Sequence, residues 1–161
     1  MKSLIFLSRL KKSHKIRYTE PSLEISQAYS IKSANSLKSA KVLLRECLYE
    51  NSITEAYYAI YNAVLSLFFR CGIKSENHAA ASMLLEYLFD QVQLKDDLEN
   101  AKKERIDKQY YITDKSGTVA VSKAASQMIR DAERFILKLR VFAGRLSESQ
   151  IKQVKKRFDN L

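Results

Sequence analysis

The sequence predicts an all-α fold, an up-and-down bundle of four to five helices, and three observations carry that expectation. Chain breakers are scarce, with three glycines and one proline in 161 residues. A β-sandwich or barrel needs turns far more often, and the same scarcity argues against Gly-rich phosphate loops. Apolar residues recur at intervals of three and four over long stretches, which is the period of helices packed on one side. Hydrophobic residues make up 46% of the chain and charged residues 29%, enough apolar material for a core and unlike the composition of a disordered segment. The length is that of one domain. We expect a bundle over 23–142, a basic N-terminal segment over 1–22 and a basic short helix or tail over 143–161.

Pro21 and Ser22 close the first segment. From Leu23 to Glu50 the residues Ala28, Ile31, Ala34, Leu37, Ala40, Leu44, Cys47 and Leu48 describe one face of a long helix. Ser52-Ile-Thr-Glu55 has the form of a capping box, so a second helix is expected to start there and to end at Gly72, which can adopt the left-handed conformation. At 100° per residue this second helix carries a small-residue stripe (Ala56, Ala59, Ile60, Ala63, Leu67) and an aromatic stripe (Tyr57, Tyr61, Leu65, Phe68). Two apolar faces need two covers. A second copy of the chain can supply one of them, which predicts a homodimer through Tyr57, Tyr61, Leu65 and Phe68.

Between the stripes Asn62, Ser66 and Arg70 form a polar strip at i, i+4 and i+8. A structural reading has Arg70 complementing the helix dipole and Asn62 capping a neighbouring backbone group; a functional reading makes the strip part of a site. Ser75 and Asn77 are candidate N-caps for a third helix bearing Met83, Leu84, Tyr87 and Leu88, with His78 at its start. A fourth helix over Leu94 to Tyr111 presents Leu98, Ala101 and Ile106. Thr113 to Thr118 is the one strong loop. Val121, Ala125, Met128, Ile129, Ala132, Phe135, Ile136 and Leu139 mark a fifth helix with Gly144 beyond its end, and Ser147-Glu-Ser-Gln150 can cap a last short one.

The net charge of +10 is concentrated at the ends. Residues 1–20 contribute +5 and residues 143–161 contribute +3, leaving +2 for everything between. Basic ends hold a polyanion by counterion release without reading its sequence, which makes Lys11, Lys12, Lys155 and Lys156 candidate RNA contacts; solubility is the plainer reading. The apolar run Leu4 to Leu7 is too short for a signal core or a membrane span, and both cysteines lie in apolar runs, so a cytoplasmic protein with core thiols is expected.

Metal chemistry is poorly supplied. His14 and His78 lie far apart, Cys47 and Cys71 have no C-x-x-C spacing, and neither a metal nor a cofactor is expected. Arg70 with His78, set across one interhelix turn, and the cluster Arg105, Asp107, Gln109, Tyr110 and Tyr111 remain. An arginine and a histidine suffice for metal-free RNA cleavage, because imidazole can move the 2′-hydroxyl proton and guanidinium can stabilise charge on the phosphorane.

Ser39-Ala-Lys-Val-Leu-Leu44, Glu55-Ala-Tyr-Tyr-Ala-Ile-Tyr-Asn-Ala63, Gly72-Ile with His78 shortly after, Arg105-x-Asp107-x-x-Tyr110 and Ala132-Glu-Arg-Phe135 together resemble the HEPN domain over about residues 23–140. The resemblance implies a dimerising helical bundle of the kind found beside minimal nucleotidyltransferases in prokaryotic toxin and antitoxin pairs, often a metal-independent endoribonuclease. The family's signature of Arg, four to six residues, then His falls on Arg70 and His78, here separated by seven residues. Asn62 or Ser66 would supply the upstream polar group. The resemblance further implies nucleotide or RNA contacts at Ser66, Arg105, Asp107 and Tyr110. Ala80 stands where some members carry a modifiable tyrosine. The expected function is an RNA-associated toxin with endoribonuclease activity; the alternative is a non-catalytic module binding nucleotide, RNA or a nucleotidyltransferase partner.

Overall fold

The computed structural model describes residues 2–110 and 117–161. Among the described residues, seven helices and one small antiparallel sheet follow each other in the order α1 (Lys2–Lys12), β1 (Ile16–Tyr18), α2 (Leu23–Arg45), α3 (Tyr49–Arg70), β2 (Ile73–Ser75), α4 (His78–Phe89), α5 (Val92–Tyr110), α6 (Gly117–Arg145) and α7 (Glu148–Asp159). The all-α expectation holds. The five long helices read from the sequence are α2 to α6, and the last short one is α7. Among the described residues no helix is long and apolar enough to cross a membrane.

The central element is α3. Tyr57, Phe68, Ile53, Ile60 and Leu67 are among the largest fully buried side chains, and α2, α5 and α6 all pack on it. The helix begins earlier than the Ser52 capping box suggested. Glu46 ends α2, Cys47 turns the chain at φ 59°, and Leu48 occupies the N-cap without a side-chain bond. Ser52 lies inside the helix, where its hydroxyl donates to the Ala40 carbonyl oxygen at 2.8 Å. Cys47 is exposed at that turn rather than part of the core, while Cys71 is buried, and burial pushes its thiol up to about 12. Ile106, expected on the apolar face of its helix, is exposed.

Gly72 follows α3 at φ +75°, and a Cβ there would strike the Thr19 carbonyl oxygen. The close approach exists because β1 runs antiparallel to β2, with Ile16 opposite Ser75 and Tyr18 opposite Ile73. This strand pair, together with α1, was not legible in the sequence. It ties the N-terminal segment to the bundle: Leu7, Leu10 and Ile16 join the core. The expected caps of the later helices are present. Asn77 Oδ1 accepts the Ala80 amide at 2.9 Å, and Ser147 and Gln150 form a reciprocal capping box at the start of α7. Gly144 falls within the last turn of α6 rather than beyond it.

Candidate functional site

The polar and aromatic residues of α3 divide by face. Ser66 donates its hydroxyl to the Ser26 carbonyl oxygen at 2.7 Å, and Ser26 returns a bond to the Ser66 carbonyl oxygen at 2.8 Å. One heptad further along, Ser33 donates to Ala59 O at 2.6 Å, and one heptad beyond that Ser52 donates to Ala40 O at 2.8 Å. Ser26, Ser33 and Ala40 on α2 thus meet Ser66, Ala59 and Ser52 on antiparallel α3 at seven-residue steps. Small side chains let the two backbones approach, and each hydroxyl is consumed by a carbonyl of the facing helix. Ser66 is therefore engaged in helix pairing. Asn62, one turn earlier on the same strip, is buried.

The aromatic stripe faces the other way and is covered by the chain itself. Phe68 stacks on Phe89 of α4 at 5.9 Å between ring centroids. Tyr57, Tyr61, Leu65 and Phe68 are all buried within a single copy. The cover that the sequence assigned to a second copy is supplied for Tyr57, Tyr61 and Phe68 by the start and end of α4.

His78 completes this face. The turn after Gly72 and the strand β2 carry the chain back along α3, so that the first residue of α4 lies over the middle of the helix. Its ring stacks on Tyr61 with centroids 3.9 Å apart and planes 10° from parallel. Nδ1 lies 2.7 Å from the Tyr57 hydroxyl. From α5, Arg105 places its guanidinium carbon 4.6 Å from the Tyr57 ring centroid and 5.8 Å from that of Tyr58, with Nη1 3.5 Å from the Tyr58 hydroxyl. The imidazole is pushed below its ordinary 6.5 by burial first, then by Arg105 and Lys102. The shift favours the neutral ring at pH 7. Burial also raises the phenols, Tyr61 to about 12 and Tyr57 further.

Arg70 stands apart from this cluster. It follows Tyr61 by nine residues, which on an α-helix is about 13 Å along the axis and about 180° around it. Within one protomer, the arginine facing His78 is Arg105. Arg70 Nε is buried without a hydrogen-bond partner, as is Arg105 Nε. Asp107 is half-buried and follows Arg105 by two residues, about 200° round the helix, so the two do not share a face. The side chains of Gln109 and Tyr110, and the whole of Tyr111, lie outside the described residues. Lys11 donates to the carbonyl oxygens of Phe158 and Asp159 at 2.9 and 2.8 Å. Lys12, Lys155 and Lys156 are exposed, Lys155 with its ammonium 4.9 Å from the Tyr18 ring centroid.

Sequence reasoning missed Tyr58 and Lys102. The Tyr57-Tyr58 doublet and the i, i+3 step from Lys102 to Arg105 were the available signals, but only the return of the chain through β2 shows which residues meet. Among the described residues no group of His, Cys, Asp and Glu is arranged to hold a metal.

The site is thus an all-α bundle in which His78 of α4 and Arg105 of α5 meet over the tyrosines of the central helix α3. The model of the HEPN domain matches residues 27–141, more than half of the chain, and the protein belongs to that family. A comparison with curated proteins returns no match.

Proposed function

We propose that this HEPN protein is an RNA-associated module that binds a phosphodiester at the His78, Arg105 and Tyr58 cluster. One observation supports this above the others: the half-buried guanidinium of Arg105 has no carboxylate within ion-pair distance among the described residues, and a second cation, Lys102, lies near enough to depress the same imidazole. Uncompensated positive charge beside a neutral, hydrogen-bonded imidazole favours an anion that accepts from both.

The experiment is an NMR titration of the His78 ring with uridine 3′-monophosphate. Binding should raise the apparent pKa of the imidazole, because the phosphate offsets the repulsion of Arg105 and Lys102, and Arg105→Ala should abolish the effect. An unmoved His78 resonance at saturating nucleotide overturns the reading.

The catalytic form of this proposal is favoured by the 2.7 Å hydrogen bond between the Tyr57 hydroxyl and His78 Nδ1. In the tautomer whose Nδ1–H donates to the phenol oxygen, the alternative to the one that offers Nε2–H to a bound phosphate, the ring is oriented and Nε2 is the nitrogen that can take a 2′-hydroxyl proton. Cleavage of single-stranded RNA in EDTA, leaving a 2′,3′-cyclic phosphate and lost in His78→Ala, would establish it. Binding without cleavage would leave the non-catalytic module. A role as the toxin of a pair with a minimal nucleotidyltransferase predicts growth arrest on expression, relieved by co-expression of such an enzyme from the neighbouring gene. A homodimer predicts a light-scattering mass near twice 18.6 kDa, formed through a face other than the aromatic stripe.

A further inference from the structure

Most of the protein's excess charge lies outside the family-matched region. The structure brings the two ends that carry it together. Lys11 holds the last two residues of α7 by their carbonyl oxygens and lies 5.2 Å from the Phe158 ring centroid. Arg9 and Lys12 line a surface hollow of about 420 Å³ whose other wall includes Asn160. On α7, Lys152, Lys156 and Asn160 succeed each other at four-residue steps and so lie along one side of the helix, running toward that hollow. Lys155 flanks the strip from its place over Tyr18. Among the described residues, Arg9, Lys12, Lys152, Lys155 and Lys156 form no ion pair. The acidic groups near this surface are Glu20 and Asp159, which both act on Tyr18, and Glu86 and Asp90 of the adjoining hollow that shares Leu4, Tyr87 and Asn160, Asp90 being paired with Arg157 at 2.7 Å.

We propose that the C-terminal turn of α1 and the exposed side of α7 form one docking surface for the phosphate backbone of a single-stranded polynucleotide. The proposal does not rest on the His78 site. Two separate basic tails would each hold a polyanion loosely, whereas these cations stand on helices 140 residues apart in sequence that Lys11 joins, with Asn160 carrying the α7 strip to the hollow of Arg9 and Lys12. A lipid surface fits less well. A helix lying in a membrane interface needs exposed apolar side chains beside its lysines; on α7 Val154 and Phe158 are buried and the lysines are flanked by Gln150 and Gln153, and the exposed apolar residues of this surface are confined to Leu4 and Ile5 of α1, beside Arg9 and Lys12. Backbone contacts carry no base information, so RNA and DNA should bind alike.

The test uses the full chain and fluorescence anisotropy with oligouridylate and oligothymidylate over a range of salt. Arg9→Gln/Lys12→Gln and Lys152→Gln/Lys156→Gln should each weaken binding of both probes at least tenfold at low salt. Each should also flatten the plot of log affinity against log salt by about 1.4, the slope expected for two lost phosphate contacts on a single strand. Lys38→Gln/Arg45→Gln removes the same charge from α2 and should leave affinity within twofold. Equal losses in all three variants would reduce the effect to net charge and overturn the proposal. So would undiminished binding in the first two, a tenfold preference for one probe, or capture by phosphatidylserine vesicles without binding of either oligonucleotide. Far-UV circular dichroism checks that each variant is folded. Because the readout is salt-dependent polymer binding rather than the His78 resonance, a failure here leaves the phosphodiester site at α3 standing, and the converse holds.

Discussion

The two sides of α3 use the same kinds of residue in opposite ways. On the side facing α2, Ser26, Ser33, Ser52 and Ser66 send every hydroxyl to a backbone carbonyl of the other helix. On the side facing α4 and α5, polar groups are gathered but not exhausted: His78 is held by a phenol, and Arg105 keeps a buried Nε without a partner. The first arrangement is closed and has no chemistry left to offer. The second is held at a cost in desolvation that nothing within the described residues fully offsets, which is the pattern expected where a ligand completes the interactions. Polar residues on a central helix are therefore weak pointers to function until it is known what they face.

The sharpest way to break this comparison is to place a charge on the aromatic side. Tyr61→Lys buries an ammonium against His78, beside Arg105 and Lys102, and should destabilise the fold by about 4 kcal/mol, the equivalent of forcing a buried lysine some three pKa units down. A dimer contact would instead dissociate with the monomer intact. Chemical denaturation with light scattering on the same samples separates the two results. On the seam side, Ala59→Leu should cost about 3 kcal/mol, because the Ser33 hydroxyl sits 2.6 Å from the Ala59 carbonyl and leaves no room for a larger side chain. Ser33→Ala should cost only about 1 kcal/mol, the net worth of one such bond.

How much of this could be read from the sequence follows from the range of the interactions involved. Helices α2 to α7, Asn77, the Ser147 cap and the apolar face of α6 depend on neighbours within one or two turns, and they were legible. The pairing of β1 with β2 joins residues nearly sixty positions apart through three-residue strands, too short to show a period. The start of α3 was misread because Ser52 satisfies the pattern of a capping box while its hydroxyl serves the seam. The same limit governs the site. Arg70 and His78 are close in sequence, but the left-handed turn at Gly72 and the strand after it carry the histidine back to Tyr57 and Tyr61, on the side of α3 away from Arg70. Arg105 was singled out for the right chemistry without its partner, since no spacing rule links α5 to the start of α4.

A smaller effect separates the two sides by pH. The folded protein holds His78 below its ordinary value of 6.5, so as pH falls through that value the unfolded chain takes up the proton first. Stability contributed by the neutral imidazole is present above about 6.5 and declines until the folded pKa is reached. His78→Gln should flatten that part of the stability profile, whereas Ser33→Ala should shift the whole curve without changing its shape.

The smallest effect on stability and the largest on binding should coincide at Arg105. Replacing it with alanine removes a cation lying over Tyr57 and Tyr58, worth about 0.5–1 kcal/mol at a partly exposed site. It also removes a buried Nε that makes no hydrogen bond and a charge that repels His78⁺. These contributions oppose each other, and the denaturation midpoint of Arg105→Ala should stay within about 0.5 kcal/mol of the parent. The His78 pKa should rise in the free variant as the repulsion is lifted, while affinity for uridine 3′-monophosphate falls at least tenfold. A variant that unfolds like the Ala59→Leu protein would show that Arg105 belongs to the closed kind of polar contact, and the difference between the two sides of α3 would disappear.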